Sequence, residues 1–287
     1  MSAPREELGD LRQKIDAIDE KIINLLIQRT LLVEEVGRRK ANANTTSSFI
    51  RPGREASMVR NLVQKIEGHF PKEAVVAIWR QIISASLSVE HAMPLAAYRD
   101  KENEECYWLA REYFGSFLPL TTFDDMEQVV HQVASGKVAV GVIPYASIFS
   151  GDAAWWTDFE GLMASTDSPR IFACIPFLNN QQNPQIQAVA IAKVMPEPTG
   201  DDTSLLAVSV TGNVSQEHLA VALNTCGLAL GNNFWHQEMP DNTRGFLFEV
   251  HGFITTESQP IKEFCEEFAA NDIKINILGT YANPIKI

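Results

Sequence analysis

The chain has 287 residues, of which 45% are hydrophobic and 21% charged, so two or three domains with cores of their own are expected. Its formal net charge of −12 is unevenly distributed: residues 1–92 carry 14 basic and 12 acidic side chains, a net of +2, which leaves −14 for residues 93–287. The acidic balance argues against a nucleic-acid partner, and the basic groups are concentrated where a small anion would bind.

Hydropathy and cysteine spacing exclude two further classes of protein. The N-terminus lacks the apolar core of a signal peptide, and no run approaches the roughly 20 apolar residues of a membrane span, so we expect a cytoplasmic protein without a membrane partner. The four cysteines are far apart and form no CxxC pair, which predicts free, buried thiols and no metal site. They are Cys106, Cys174, Cys226 and Cys265.

Residues 6–41 predict one long amphipathic helix. Its apolar positions recur in alternating steps of three and four residues, the spacing of a helix packed against other helices. They are Leu8, Leu11, Ile15, Ile18, Ile22, Leu25, Leu32 and Val36. Between Leu25 and Leu32 the step falls on Arg29, and a guanidinium buried without a partner costs several kcal/mol. We therefore expect an anion on this face. A helix of this length spans about 54 Å, so a second copy related by a two-fold axis is the simplest partner.

The next two helices also place ionisable side chains on their apolar faces. The second is predicted to begin at Arg51-Pro52 and carries Glu55 on its apolar face. The third, predicted from about Lys72 to His91, carries Glu90 in the same way. Together with Arg29, these residues of both signs favour a polar site between the helices over separate structural ion pairs.

Helical geometry indicates which basic residues can share a ligand. Arg29 and Lys40 are eleven residues apart, so they point within about 20° of each other and lie about 16 Å apart along the axis. Both long side chains can reach one small ligand between them. Arg12 lies about 25 Å from Arg29 along the helix and cannot share that ligand. In an antiparallel dimer it would reach the site of the other subunit.

Five segments of the three predicted helices form one ordered pattern. They are Leu11-Arg12-x-x-Ile15-x-x-Ile18-Asp19-x-x-Ile22, Leu26-x-x-Arg29, Val36-Gly37-x-x-Lys40, Arg51-Pro52-Gly53-Arg54-Glu55 and Ile82-Ile83-Ser84-Ala85-Ser86-x-x-x-Glu90. This pattern, which covers residues 5–92, resembles the all-helical (AroQ-type) chorismate mutase. The resemblance implies an intertwined homodimer of three-helix subunits that rearranges chorismate to prephenate without a cofactor.

The resemblance also implies a role for each site residue. The substrate-binding set would be Arg12, Arg29, Lys40, Arg54, Glu55, Ser86 and Glu90, of which Arg29, Lys40 and Glu90 would be catalytic. Arg29, with Arg12 of the partner subunit, would hold the two carboxylates of chorismate. Lys40 and Glu90 would face the ether oxygen. Glu55 would accept a hydrogen bond from the ring hydroxyl, while Arg54 adds positive potential and Ser86 lines the pocket. Many family members have Gln in place of Glu90, and some have Asp in place of Arg51, whose role stays open.

Residues 96–202 predict an α/β lobe. Helices are predicted over residues 107–114 and 123–130, and a buried strand over residues 137–144. Four segments are similar to prephenate dehydratase, whose lobes are of the periplasmic-binding type. They are Tyr113-Phe114-Gly115, Phe123-x-Asp125-x-x-x-x-Val130, Ser135-Gly136-x-x-x-x-Gly141-Val142-Ile143-Pro144, and Gln187–Ala192 leading to Thr199-Gly200-Asp201-Asp202.

The residues expected to carry dehydratase chemistry are replaced in this lobe. Tyr145-Ala146-Ser147 stands in place of Glu-Asn-Ser, and Gln187-Ala188-Val189 in place of Thr-Arg-Phe. The Gly-rich start of the family is also absent. Dehydration needs an acid at the leaving hydroxyl, so we expect a non-catalytic remnant. Trp155, Trp156 and Phe159 are expected in a core or interface.

Residues 203–287 predict a small α+β module. Strands are predicted over residues 204–211, 228–235, 245–251 and 275–279, and helices over residues 216–225 and 260–270, the β-α-β-β-α-β order of ferredoxin-like folds. With Leu278-Gly279-Thr280-Tyr281 the module resembles an ACT domain. The phenylalanine-binding motifs of that family are replaced here by Gly212-Asn213-Val214 and Phe234-Trp235-His236-Gln237. Dimerisation or scaffolding and binding of an amino-acid effector stay open, and His236 and His251 are expected to be packing or surface residues.

These expectations divide the chain into a chorismate mutase domain (1–95), a degenerate dehydratase-like domain (96–202) and an ACT-like domain (203–287). The leading hypothesis is a homodimeric chorismate mutase of phenylalanine or tyrosine biosynthesis. One alternative is a bifunctional mutase and dehydratase. The other is a non-catalytic ligand sensor or regulatory partner of an enzyme in the same pathway.

Overall fold

The first three elements of the protein are the helices expected from the sequence. The computed structural model describes residues 8–42, 49–150, 168–179, 186–239 and 242–286. The helices are α1 (Leu8–Asn42), α2 (Pro52–Lys65) and α3 (Lys72–Glu90). The single long first helix is therefore confirmed over the described residues. Pro52 opens α2, where its missing N–H costs nothing because that position has no helical partner.

The N-terminal half of α1 is exposed on all sides in the single chain. Every residue from Leu8 to Leu25 is exposed, including the apolar Ile15 at 56% and Ile22 at 50%. Half-buried positions begin at Leu26, where α1 runs alongside α3. An apolar row of this length on a water-exposed helix calls for a partner surface.

A mixed sheet follows the helices. Its described strands in the first half of the sheet are β1 (Leu95–Tyr98), β2 (Leu120–Phe123), β3 (Val140–Pro144), β4 (Arg170–Ile175) and β6 (Ala188–Ala192), while the short strand β5 (Leu178–Asn179) lies outside this sheet. Strand β1 pairs in parallel with β2 and β3, while β6 pairs antiparallel with β3 and β4. Helices α4 (Glu105–Phe114) and α5 (Met126–Ala134) connect β1, β2 and β3. The predicted α/β organisation is confirmed.

One helix boundary was predicted wrongly. The sequence indicated a helix over residues 123–130, whereas Phe123 ends β2 and α5 begins at Met126. The reason is local: the carboxylate of Asp125 accepts the backbone N–H of Glu127 at 2.9 Å and so caps the helix at this point. The strand predicted over residues 137–144 starts later as well, at Val140. Trp155, Trp156 and Phe159 lie outside the described residues.

The C-terminal module has the predicted order of elements. They are β7 (Asp202–Thr211), α6 (Gln216–Thr225), β8 (Leu230–Met239), β9 (Thr243–His251), α7 (Gln259–Glu267) and β10 (Lys274–Ala282). The four strands lie side by side in the antiparallel order β10-β7-β9-β8. This β-α-β-β-α-β unit therefore has its first and third strands in the centre of its sheet.

The two sheets join edge to edge into one sheet of nine described strands. Its order is β2-β1-β3-β6-β4-β10-β7-β9-β8, and the join is the parallel contact of β4 with β10 at Ile171 and Gly279. Gly279 has φ +154°, and a Cβ there would lie 2.0 Å from the carbonyl oxygen of Ile171, so only glycine permits this approach. A short strand β11 (Ile285–Lys286) pairs separately with β5.

Helices α2 and α3 pack on this sheet rather than standing apart from it. Buried side chains of the helices, such as Val59 and Ile83, belong to the same hydrophobic cluster as Val142 and Ile175 of the sheet. Strands β1 and β7 begin within one residue of the two domain boundaries expected from the sequence.

Three further observations concern the described residues alone. No helix among them is both long and apolar enough to cross a membrane. No group of His, Cys, Asp and Glu side chains among them is arranged to hold a metal ion. All four cysteines are free, as predicted, but only Cys106 and Cys174 are buried, while Cys226 and Cys265 are half-buried. Burial raises the pKa of the Cys106 and Cys174 thiols to about 12.

Candidate active site

A cleft of about 360 Å³ opens where α1, α2 and α3 meet. This volume is in the range of small-molecule sites. Six of the seven predicted site residues line it: Arg29, Lys40, Arg54, Glu55, Ser86 and Glu90. The remaining walls are mostly apolar, with Leu32, Val33, Val36, Phe49, Arg51, Met58, Ile83 and Leu87. The cleft therefore combines apolar walls with charged groups of both signs.

Arg29 lies on the α3 side of α1 and is half-buried. Its Nη1 donates a hydrogen bond to Ser86 Oγ, and Ser86 in turn donates to the carbonyl of Ile82 at 2.7 Å. Burial, and then the positive charge of Arg54, lower the pKa of Arg29. Two guanidinium groups thus face one cleft at an electrostatic cost that an anionic ligand would relieve.

Lys40 and Glu90 form an ion pair at the same cleft. The Lys40 Nζ lies 3.6 Å from a carboxylate oxygen of Glu90, whose side chain is only 10% exposed. Lys40 is near the end of α1 and Glu90 is the last residue of α3, so the packing of these two helices brings the pair together. The predicted proximity of Arg29 and Lys40 to one ligand site is consistent with this placement.

Helix α2 contributes Arg54 and Glu55 from its first turn. The Glu55 carboxylate accepts a hydrogen bond from Arg80 Nη1 at 3.2 Å, and the backbone N–H of Arg51 donates to it at 3.3 Å. Burial raises the pKa of Glu55, while the nearby charge of Arg80 opposes that rise. Glu55 is thus held in place from both α2 and α3.

Two residues at or beside the site were not assigned a role from the sequence. Arg51 lines the cleft, and its guanidinium pairs with Glu197 at 2.6 Å. Arg80 is 5% exposed and sits on the buried face of α3, one turn from Val76 and from Ile83. Arg80 is therefore a charged residue at a helical spacing of three and four residues from apolar ones. The same pattern indicated Arg29, so the sequence carried a signal for Arg80 as well.

Arg12 is the one predicted site residue that does not line the cleft. It is exposed and lies seventeen residues before Arg29 on α1, which at 1.5 Å per residue is about 25 Å. Its own subunit therefore cannot use it in this cleft.

Residues 11–91 match the family model described as chorismate mutase type II. These residues form a chorismate mutase type II domain. The six predicted site residues that line the cleft all lie within that range.

The chain is similar to two curated bifunctional enzymes. A bifunctional chorismate mutase/prephenate dehydratase of Pseudomonas aeruginosa is 30% identical over 152 residues, which is 52% of this chain and 41% of the relative. One of the same name from Aquifex aeolicus is 33% identical over 150 residues, 51% of this chain and 41% of the relative. The matched part therefore spans about two fifths of the length of either relative.

Among solved structures, the prephenate dehydratase of Streptococcus mutans superposes with a TM-score of 0.47. That match has 15% sequence identity and covers 68% of this chain and 100% of the other.

One of the positions expected to hold dehydratase chemistry, that of Tyr145, lies where the two halves of the sheet contact each other. Tyr145, directly after β3, is 7% exposed and donates to a Glu249 carboxylate oxygen at 2.6 Å. Tyr281 donates to the same oxygen at 2.9 Å, and Asn233 donates to both Tyr145 and Glu249. We call Tyr145, Asn233, Glu249 and Tyr281 the junction cluster. Burial, and then the Glu249 charge, raise the pKa of Tyr145.

A second cleft, of about 410 Å³, lies on the C-terminal module. It is lined by Val214, Ser215, Gln216, Glu217, His236, Gln237, Glu238, Arg244 and Phe246. Val214, His236 and Gln237 belong to the two segments that were expected from the sequence to replace ligand motifs of the ACT family. His236 is exposed and stacks on Phe246 with ring centroids 6.3 Å apart, and His251 is exposed, so the prediction of packing or surface roles for both histidines is confirmed.

Proposed function

We propose that the protein is a chorismate mutase, which rearranges chorismate to prephenate. The observation that supports this most is the cleft itself: in a domain that matches the family, Arg29, Lys40 and Arg54 face Glu55, Ser86 and Glu90 across a volume suited to one small ring compound. Chorismate is a ring dicarboxylate, so its charge is opposite to that of the three basic groups.

The reaction is a unimolecular rearrangement in which one C–O bond breaks as a C–C bond forms. It requires no nucleophile, proton transfer or cofactor, so the protein has two tasks: to hold the reactive conformer and to stabilise charge on the ether oxygen. In our proposal Arg29 serves the first task, because a planar guanidinium grips a carboxylate in fixed geometry. The relief of its repulsion with Arg54 favours occupation by an anion. Glu55 would accept the hydrogen bond of the ring hydroxyl.

Lys40 and Glu90 serve the second task in this proposal. The ammonium group of Lys40 would turn from Glu90 towards the ether oxygen as negative charge develops there. An ionised Glu90 would repel that oxygen, whereas a protonated Glu90 would donate a hydrogen bond to it.

The site would be completed by a second subunit. The exposed apolar row of α1 would pack against the same helix of another copy, related by a two-fold axis, and Arg12 of the partner subunit would reach the second carboxylate. The full exposure of residues 8–25 in the single chain supports this arrangement.

The rest of the chain is proposed to have no catalytic role of its own. The use of Tyr145 in the junction cluster supports this, since the residue after β3 is engaged in holding two halves of the sheet together. The names of the curated relatives favour a second candidate, a bifunctional mutase and dehydratase of phenylalanine biosynthesis. Binding of an amino-acid effector would be sought at the cleft of the C-terminal module, in what we propose is an ACT-like domain over residues 203–287.

One experiment separates these candidates. Purified protein is supplied with chorismate and then with prephenate, and the product of each is identified by chromatography and mass. We expect prephenate from the first substrate and no phenylpyruvate from the second, with turnover of chorismate abolished in Arg29→Ala. Phenylpyruvate formed from prephenate would establish the bifunctional alternative, and unchanged chorismate would refute the proposal.

A further inference from the structure

Arg80 occupies an unusual position between the mutase cleft and the sheet. It lies on α3 with 5% exposure, and its guanidinium carbon is 4.3 Å from the ring centroid of Tyr113 and 5.2 Å from that of Phe177. Both rings belong to the α/β part of the chain, on α4 and beside β4. Its Nη1 reaches the Glu55 carboxylate at 3.2 Å, while its Nε is buried and has no hydrogen-bond partner among the residues that the structure describes.

Glu55 lies between the mutase cleft and Arg80. It lines the mutase cleft and also a small cavity of about 10 Å³, which it shares with Arg80, Tyr113 and Phe177. Its side chain is 12% exposed and that of Arg80 is 6% exposed. At such burial each charge depends on the other, because removal of one partner leaves an uncompensated charge in a poorly solvated place.

We propose that Arg80 is a positioning residue of the mutase site, which holds the Glu55 carboxylate in its ionised form against the cleft and is itself held by the aromatic rings of the α/β lobe. In this way the lobe becomes part of the mutase without contacting substrate. The inference rests on the proposed function and adds to it a residue and a role for the second domain.

Arginines at the outer face of α2 also bind the α/β part of the chain, but away from Glu55. Arg51 pairs with Glu197, and Arg60 donates to Thr199 Oγ1 at 2.7 Å and to the carbonyls of Asp201 and Asn283, each at 2.8 Å. These contacts anchor α2 on the sheet but do not involve Glu55. Arg60 is therefore a matched control for Arg80: both are arginines of the mutase domain held by the rest of the chain, and only Arg80 touches a cleft residue.

The test compares Arg80→Met, Arg80→Lys and Arg60→Met in the full-length protein, with chorismate as substrate. We expect Arg80→Met to lower kcat/KM about 10- to 100-fold, mostly through kcat, because a misplaced Glu55 leaves the ring poorly oriented. Arg80→Lys keeps the charge and is expected to recover most of that loss. Arg60→Met is expected to keep kcat/KM within about threefold of the wild type, since Arg60 does not line the cleft.

The pH profile separates positioning from a merely structural role. Without Arg80 the ionised form of Glu55 is less favoured, so the acid limb of kcat/KM is expected to move to higher pH in Arg80→Met and not in Arg60→Met. Other groups face Glu55 in all variants and stay constant: Arg51, Arg54, Tyr113 and Glu197, with Arg29, Lys40 and Glu90 across the cleft. In a Glu55→Gln background the Arg80→Met effect on kcat is expected to shrink to less than threefold.

The outcomes are distinct. If wild-type protein leaves chorismate unchanged, the proposed function fails and not this inference alone. If the wild type is active and Arg80→Met behaves like Arg60→Met, or loses as much activity in the Glu55→Gln background as alone, Arg80 is not a positioning residue. Should Arg80→Met not fold, Arg80→Gln takes its place, because it removes the charge but keeps a polar side chain: a wild-type kcat and an unmoved acid limb in that variant would overturn the proposal, and a lowered kcat with an acid limb at higher pH would support it.

Discussion

Replacement of Arg29 by methionine separates catalysis from stability at one position. The guanidinium is half-buried, it faces the like charge of Arg54, and both conditions lower its pKa. The folded protein therefore carries a cost for this charge at every pH where arginine is ionised, and methionine removes the cost while filling similar space among Leu32 and Val33. The hydrogen bond to Ser86 is lost in exchange.

Two effects of opposite sign are expected. Loss of one partner of a desolvated charge pair costs about 2–5 kcal/mol, which at about 1.4 kcal/mol per decade is a fall in kcat/KM of about 30- to 5000-fold. The free energy of unfolding should stay within about 1 kcal/mol of the wild type or rise, because the cost of the buried charge offsets the lost hydrogen bond.

The assay is chorismate consumption under steady-state conditions, with thermal unfolding measured on the same samples. Arg38→Met is the matched control, since Arg38 is on the same helix, has a side chain that is 70% exposed, and pairs with Glu35 at 2.9 Å. It is expected to change neither quantity beyond about twofold or 0.5 kcal/mol. A parallel loss of activity and stability in Arg29→Met would show that the arginine is structural and refute the reasoning.

Three further predictions follow from the same structure. Glu90→Gln removes the carboxylate that pairs with Lys40 at 3.6 Å and keeps a hydrogen-bond donor towards the ether oxygen, so kcat on chorismate is expected to stay within about tenfold of the wild type or to rise, and a greater loss would exclude this role of Glu90. Ile22→Asp is expected to convert a dimer into inactive monomers, seen by light scattering after gel filtration. Covering the half-exposed isoleucine side chain stabilises the dimer by roughly 1 kcal/mol per copy, whereas a buried aspartate costs several kcal/mol more. A dimer that persists in the variant would contradict this prediction. Tyr145→Phe removes a 2.6 Å hydrogen bond to Glu249, so unfolding should be easier by about 1–2 kcal/mol with chorismate kinetics unchanged; a loss of mutase activity would contradict the division of roles.

Much of the mutase domain was predictable because helix periodicity and charge are local signals. The three- and four-residue steps on α1 determine which residues share a face, and Arg29, Glu55 and Glu90 stood out as charges among apolar positions. Of the six predicted residues that line the cleft, Arg29, Lys40, Glu55 and Glu90 were indicated in this way, whereas Arg54 and Ser86 were implied by the family resemblance alone. Arg12 is different, since its predicted place depends on a second subunit.

The role of Arg80 was not predicted because two faces of α3 are buried. Arg80 lies about 100° round the helix from Trp79, and the face expected to be buried was the one that carries Glu90. Trp79 is half-buried, whereas Arg80 is buried against the sheet. A single-stripe interpretation assumes one buried face, and that assumption does not hold for a helix between two layers.

The sheet was less predictable than the helices because its strands depend on distant partners. Strands β1 and β2 have four residues each, too few to show a period. The join between the two halves of the sheet depends on the approach of Gly279 to Ile171, more than a hundred residues away along the chain. Such a contact leaves no local pattern beyond one glycine.

The most direct test of the shared cleft mixes two inactive variants. Arg12→Ala and Arg29→Ala are each expected to be inactive as homodimers, because every site lacks one of its two carboxylate-binding arginines. In a hybrid dimer one site has both mutations and the other has neither. Random reassociation of equal amounts should therefore restore about a quarter of the wild-type activity on chorismate. A mixture as inactive as its parents, with hybrid dimers verified by mass, would contradict the account.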